Sequence, residues 1–421
     1  MRSMIKKLFR TGFFNVFSSS VINKIISFFA SVVLVRVLTK AEYGNFTYAW
    51  NIYSILILAN GLGLESGVLQ LCSENGNNRN IVYTIRRFSL KVGFIFDLLI
   101  AALLILSGLF VKFKIEGTGI LLILLAFLPL FQFLFGINAA VFRAQKLNRE
   151  YAYLNTLNSF LVFSFTCLGA LFLKERGMIL GYYSAYVISD IVSTKLIKCN
   201  GFYFENEFLG KEKKSLLTIS VISMCNNGLS QLMYLLDVFV IGLIIADEEI
   251  LASYKVATTI PSALTFIPSA MITYLYPYFA QNRNNRKWCV TYYCKSLAAL
   301  AIINVFISSV FYIGAPQIID RFYGSAYEDA TFIFKLLSIN YFISGTFRIF
   351  SGNLLITQRK LRFNLIIAII SGFLNVVLDA LLISQYGSIG AAYATICVVI
   401  FTSITSTIYL IYTFNRIGKD G

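Results

Sequence analysis

The chain has 421 residues, 57% hydrophobic and 13% charged, with a mean hydropathy of +0.73 and a net charge of +16. It contains no histidine, which excludes a His-based catalytic triad, a histidine-ligated zinc site and a histidine haem ligand. It also has no G-x-x-x-x-G-K-S/T phosphate loop, so it is no ATPase by itself.

Apolar runs of roughly twenty residues recur from end to end, the length one helix needs to cross a bilayer core. Twelve spans are read, at 13–38, 42–71, 82–110, 117–142, 151–173, 178–197, 215–245, 249–279, 290–313, 329–357, 361–383 and 388–414. The runs are continuous and show no ten-residue alternation, so they are predicted as helices of an all-α polytopic membrane protein, not strands of a barrel.

The breaks between spans differ sharply in charge. Those before spans 1, 3, 5, 7, 9 and 11, together with the C-terminus, hold 25 Lys and Arg, among them Arg86, Lys146, Lys213, Arg286 and Arg359. The alternate breaks hold six: Lys40, Lys112, Lys114, Lys174, Arg176 and Arg321. One of these is Asp247-Glu248-Glu249, with no base at all. The positive-inside rule then places both termini in the cytoplasm, with the first ten residues as a basic lead-in and not a cleaved signal. It also accounts for most of the net charge, as a topology signal beside anionic lipid. Bases dispersed over seven breaks form no nucleic-acid-binding stripe.

The chain repeats itself at about half its length. Residues 43–49 (YGNFTYA) align with 251–257 (LASYKVA), Ala144-Gln145 with Thr357-Gln358, and the glycine-led segment from Gly177 with that from Gly387. The offsets are 208, 213 and 210. The expected domains are two six-helix bundles, 1–205 and 206–421, joined by a cytoplasmic linker at 198–214. Six is even, so the halves share one orientation, a parallel repeat of the kind transporters use to hold substrate between halves.

Ionisable residues inside spans cost roughly 2.5–3.5 kcal/mol each and face cavities or partners. In chain order they are Lys24, Asp97, Asp190, Asp237, Lys255, Lys335, Arg348 and Asp379, with Arg36 and Glu65 nearer span ends. Lys24 shares a helical face with Ser20, Ser27 and Ser31. Asp237 shares one with Ser223, Asn227, Ser230 and Tyr234. Lys255 aligns with Thr259, Ser262, Ser269 and Thr273, and Arg348 with Asn340, Ser344 and Ser351. Ser and Thr stripes serve as interhelical glue or as cavity lining; a base on the stripe favours lining. Lys24, Lys255, Arg348, Asn227 and Ser262 are therefore the candidate substrate-binding residues, the bases being suited to phosphate. Lys335 and Arg36 are expected to snorkel to the outer interface. Asp97, Asp237 and Asp379 either pair with bases or bind a coupling ion, Na+ or H+; the stripe around Asp97 is apolar. Pro261 and Pro268 in span 8 mark either a bent packing helix or a hinge. The seven cysteines are scattered without a C-x-x-C, and no metal site or other cofactor is expected.

Four segments carry a family resemblance: VLTKAEYGNFTYA after span 1, LLDVFVIG in span 7, FYGSAYEDA before span 10 and QYGSIGAAYAT into span 12. Across essentially its whole length the chain resembles bacterial polysaccharide flippases, which share a superfamily with MATE drug exporters and the lipid II flippase. The resemblance implies a MATE-like fold; the internal repeat and the polar stripes on spans 1, 7 and 8 lead to the expectation of a central cavity with spans 1, 2, 7 and 8 at its wall. The resemblance also implies translocation of a polyprenyl-linked oligosaccharide across the inner membrane for O-antigen or capsule assembly. A glycan polymerase and a chain-length regulator are the implied partners, besides membrane lipids. In the resembling lipid II flippase a basic cavity faces the substrate's pyrophosphate, the role expected here of Lys24, Lys255 and Arg348. A MATE-like cation-coupled exporter is the alternative, though it would want an acidic, aromatic-lined cavity. A membrane glycan polymerase or ligase would need a sizeable outer loop, and the longest here is about fifteen residues, so the chain is read as no enzyme.

Overall fold

The computed structural model describes residues 13–74, 79–199 and 210–417. It is helical throughout, with no strand among the described residues. Helices stand at all twelve expected positions, and among the described residues nine of the helices, or ten with one bent pair, are long and apolar enough to cross a bilayer. Span 1 is Phe13–Val37. At its exit the Thr39 hydroxyl accepts the Glu42 N–H, and the Glu42 carboxylate accepts the Thr39 N–H. This reciprocal cap satisfies two donors that a new helix would leave orphaned. Span 2 runs Lys40–Leu56, tightens into a 3-10 segment Ile57–Gly63, and resumes as Leu64–Glu74. Span 3 is Arg79–Phe110, and span 4 is the pair Thr118–Leu125 and Leu128–Ala144, bent by 42°.

Spans 5 and 6 occupy Asn148–Cys199. At about 1.5 Å per residue, so long a helix would far exceed a hydrocarbon core of about 30 Å. It folds back at Leu173 and Lys174, whose backbone angles leave the helical region. The arms meet where side chains are absent: a Cβ on Gly169 would strike the Gly177 carbonyl, and one on Gly181 that of Phe165.

Span 7 is Gly210–Ile244, and span 8 is Glu248–Leu264 followed by Phe266–Gln281. The acidic break before span 8 has a local cause. Asp247 caps the helix, accepting N–H bonds from Glu249 and Ile250, and the acids complement the positive end of the dipole. Span 9 is Arg286–Ile313, followed by a short amphipathic helix, Ala315–Tyr323. Span 10 is Ala330–Ile343, a π turn at Ser344–Arg348, and Ile349–Thr357. Spans 11 and 12 are Leu361–Tyr386 and Ser388–Arg416. Large apolar side chains such as Phe172, Ile302, Phe306 and Phe373 are exposed, as expected where lipid is the solvent.

By packing, the chain divides at Leu235–Leu236, inside span 7, not in the linker. The linker expected at 198–214 falls mostly outside the described residues. The first part of span 7 groups with the first unit because it packs on span 2. A Cβ on Gly67 would strike the Ser220 hydroxyl, and the Asn51 amide donates to the Leu235 carbonyl at 3.0 Å. The first unit's core gathers Leu64, Val68, Ile85, Phe133, Phe142 and Leu216; the second gathers Phe279, Tyr293, Leu300, Phe350, Leu354 and Phe414.

The repeat is written in the backbone as well. Lys146 and Arg359, the bases that follow the aligned Gln145 and Gln358, both adopt left-handed φ, 58° and 59°. The turns between spans 5 and 6 and between spans 11 and 12 share one conformation, φ 55° and ψ −139° at Lys174 against φ 62° and ψ −146° at Gly387. Each half also interrupts its second helix, at Ile57–Gly63 and at Thr265.

Candidate functional site

The second unit contains a buried carboxylate constellation built from four spans. Asn375 and Asp379, one turn apart, project from the same face of span 11. Span 12 reaches this face because its opening segment is small: Gly390, Ala391 and Ala392 are buried, and a Cβ on Gly390 would lie 2.1 Å from the Leu382 carbonyl oxygen. The close approach sets Thr395 beside span 7, where its hydroxyl donates to Asp237 Oδ2 at 2.8 Å. The Tyr254 hydroxyl of span 8 donates to the same oxygen at 2.8 Å, and the Asn375 amide to Asp237 Oδ1 at 3.5 Å. Asp379 adjoins Asp237 and is fully buried.

The electrostatics of this cluster are incomplete. Asn375 Oδ1 has no hydrogen-bond partner among the described residues, and no N–H or hydroxyl among them donates to Asp379, whose carboxyl lies within hydrogen-bonding reach of Asp237. No ion pair joins either aspartate to a Lys or Arg among them. Two carboxyls removed from water without a base require a proton or a cation. All available donors are oxygens, suited to a hard cation. Among the described residues no group of three His, Cys, Asp or Glu could hold a metal, so the arrangement fits a monovalent ion or protons better than a transition metal.

The candidate substrate residues are placed as follows. Lys24 is exposed, as are Ser20 and Ser27, on the side of span 1 away from Ser19, which bonds to Ala152 and Thr156 of span 5. Lys255 is exposed while its neighbour Tyr254 turns inward to Asp237; Ser262, Ser269 and Thr273 share its outward face. Arg348 sits half-buried at the end of the π turn. That turn shifts the helical phase, so Ser351 leaves the stripe and is buried, bonding to Tyr293 and Thr407. Asn227 belongs to span 7, but its side chain lies outside the described residues. Pro261 and Pro268 are both buried and flank the interruption at Thr265, where their missing N–H groups leave the ladder open. Lys335 lies over the Tyr312 ring, with its nitrogen 5.7 Å from the centroid.

Asp97 sits apart from these, in the first unit. It is fully buried, and its Oδ1 accepts the Gly61 N–H at 2.6 Å; Oδ2 has no partner among the described residues. The partner is the break in span 2, where Asn60 is extended and Gly61, Leu62 and Gly63 have φ of 52°, 54° and 70°. The Phe133 ring packs so closely on Gly61 and Gly93 that a Cβ on either would fall within 2.1 Å of it. Nearby, Arg86, counted by sequence in a cytoplasmic break, is buried and bonds through Nε to Asn138 Oδ1 at 2.8 Å, with Ser193 completing the network.

The fold is shared with several solved membrane proteins. A MATE family multidrug resistance transporter of the MOP superfamily, in an inward-facing conformation, superposes with a TM-score of 0.73 at 13% identity, over 96% of this chain and 99% of that one. The lipid II flippase MurJ in an inward closed conformation gives 0.70 at 17% identity, over 96% and 89%. A MOP superfamily transporter from Pyrococcus furiosus gives 0.59 at 13%, over 97% and 96%. The chain belongs to the polysaccharide biosynthesis protein family, which it matches over residues 9–283. No curated protein sequence matches it. It is a multi-pass membrane protein of the polysaccharide biosynthesis protein family, with a fold it shares with a MATE family transporter and a lipid II flippase.

Proposed function

We propose that the protein is a flippase that carries a lipid-linked oligosaccharide, of the polyprenyl-pyrophosphate type, from the cytoplasmic to the periplasmic leaflet of the bacterial inner membrane. Both termini are cytoplasmic in this reading, and the product enters O-antigen or capsule assembly alongside a polymerase and a chain-length regulator. The observation that carries it is an exposed lysine on the polar face of span 1, Lys24, and another on that of span 8, Lys255, in a chain of the polysaccharide biosynthesis family. Lys24, Lys255 and Arg348 hold the phosphate-bearing head loosely, Asn227 and Ser262 contact the sugars, and the acyl chain stays in lipid. Alternating access moves the head across, with the interruption between Pro261 and Pro268 as the hinge. The Asp237–Asp379 constellation, with Asn375 and Thr395, holds the coupling ion, Na+ or H+.

A second reading, a MATE-like cation-coupled exporter of small molecules, draws support from the buried acidic cluster and the MATE superposition. One experiment separates the two. In proteoliposomes carrying labelled lipid-linked glycan, the wild type should flip the label, and a Lys24→Ala, Lys255→Ala, Arg348→Ala triple variant should not. Arg348→Lys alone should keep part of the rate, because charge survives without the bidentate fork. Normal flipping by the triple variant, at normal abundance, would remove the basic site from the mechanism.

A further inference from the structure

Asp97 lies in the first unit, away from the aspartates given above to the coupling ion. Among the described residues its side chain forms no ion pair; it closes a broken helix through one main-chain bond. The Gly61 N–H it accepts belongs to the interruption that divides span 2 into two rods. That interruption has no proline to hold it open. It depends on three consecutive left-handed residues, one of them Leu62, for which L side chains have little preference.

The other half shows what the same position does without a charge. Asp97 is the nineteenth residue of span 3, and Asn304 is the nineteenth of span 9. Asn304 is also fully buried, and it is satisfied: its amide donates to Thr346 at 3.1 Å and its carbonyl accepts from Tyr341 at 3.0 Å. An Asn at position 97 could still accept the Gly61 N–H through its carbonyl, though more weakly than a carboxylate does. The acid is therefore not needed for the bond. What an acid adds is a second oxygen, Oδ2, which is buried and without a partner among the described residues and is the natural seat of a proton.

We propose that Asp97 is a proton-binding site that latches the break in span 2: ionised, it grips the Gly61 N–H and holds the two rods bent; protonated at Oδ2, it releases them. A carboxylate is the stronger acceptor, so deprotonation tightens the latch and protonation loosens it. The titratable groups around it are few. Glu65 opens the second rod of span 2, and Tyr53 of the first rod, bonded to Gln132 of span 4, also faces it. The spans 3 and 4 residues packed on the break, Gly93 and Phe133, carry no charge.

The test uses the full chain in lipid nanodiscs, with native cysteines replaced and spin labels at Lys40→Cys and Gln70→Cys, one on each rod. Distances are measured between the labels at pH 5 and pH 8. The labelled protein should shift between two distance populations with pH. Adding Asp97→Asn should leave one population at both pH values, Asp97→Glu should retain the shift, and Glu65→Gln should retain it too. A labelled protein with no shift between the two pH values would overturn the latch whatever the variants do. So would an Asp97→Asn protein that keeps the full shift, or a Glu65→Gln protein that alone loses it.

Discussion

Asp379 offers the most discriminating perturbation of the second unit. It is a fully buried carboxyl that takes no bond from an N–H or hydroxyl among the described residues and sits within hydrogen-bonding reach of a second carboxyl that already takes three. Two uncompensated carboxylates would cost several kcal/mol, so the folded state must take up a cation or proton from solution. Binding to the native state alone stabilises by RT ln(1 + [L]/Kd), about 1.4 kcal/mol for each tenfold rise in cation above Kd. For a unit of this size that is roughly 3–6 °C in melting temperature per tenfold rise. Asp379→Asn removes one charge while keeping the shape and gaining a donor for Asp237. It should melt at or above the wild type without cation and respond weakly when cation is added. The sign with pH follows: protons compete for the same oxygens, so the stabilisation by cation should be largest at high pH and fade as pH falls. The assay is a thermal melt of detergent-purified protein across a Na+ titration with choline as the inert counterpart, at two pH values. A variant whose cation response matches the wild type, or a wild type that responds to neither Na+ nor pH, would refute the idea that this cluster holds an ion or proton.

Two further outcomes are expected. A cysteine at Asn285 should label only from the cytoplasmic side and one at Glu248 only from the periplasmic side; the reverse pattern would invert the topology. Gly390→Ala should destabilise the protein by about 1–3 kcal/mol, because the added methyl meets the Leu382 carbonyl, and should weaken the Na+ response by moving Thr395 off Asp237. A melt and a cation titration like those of the wild type would show that this approach is not what places Thr395.

The spans were legible because the bilayer sets their length, and the interruption in span 8 because Pro261 and Pro268 announce it. The matching interruption in span 2 was not. Gly61, Leu62 and Gly63 lie in an apolar run, and glycine is common inside membrane helices, so no local signal distinguishes a break from a packing site. Asp237 and Asp379 stood out as costly residues, but Tyr254, Asn375 and Thr395 look ordinary until packing brings spans 8, 11 and 12 to span 7. The Asn375-to-Asp379 spacing was the one available hint. Asp97 seemed isolated on an apolar stripe because its partner is a main-chain N–H, which no side-chain pattern reveals. The π turn before Arg348 adds a residue to the helical phase, and extending a regular period through it misplaced Ser351.

The hydroxyls on the exposed face of span 8 have one more property. Thr259 bonds back to the Lys255 carbonyl at 2.8 Å, Ser269 to that of Thr265 at 2.8 Å, and Thr273 to that of Ser269 at 2.7 Å. On span 1, Ser27 does the same to Asn23 at 2.8 Å. Each hydroxyl is thus content without water, and what it turns outward is a lone pair and, for threonine, a methyl group. Such a surface is indifferent to its medium: it can be flooded or dried with little change in free energy. The ammonium of Lys255 has no such internal partner in its own helix, so on this face it is the group that registers whether water, lipid or an anion lies in front of it.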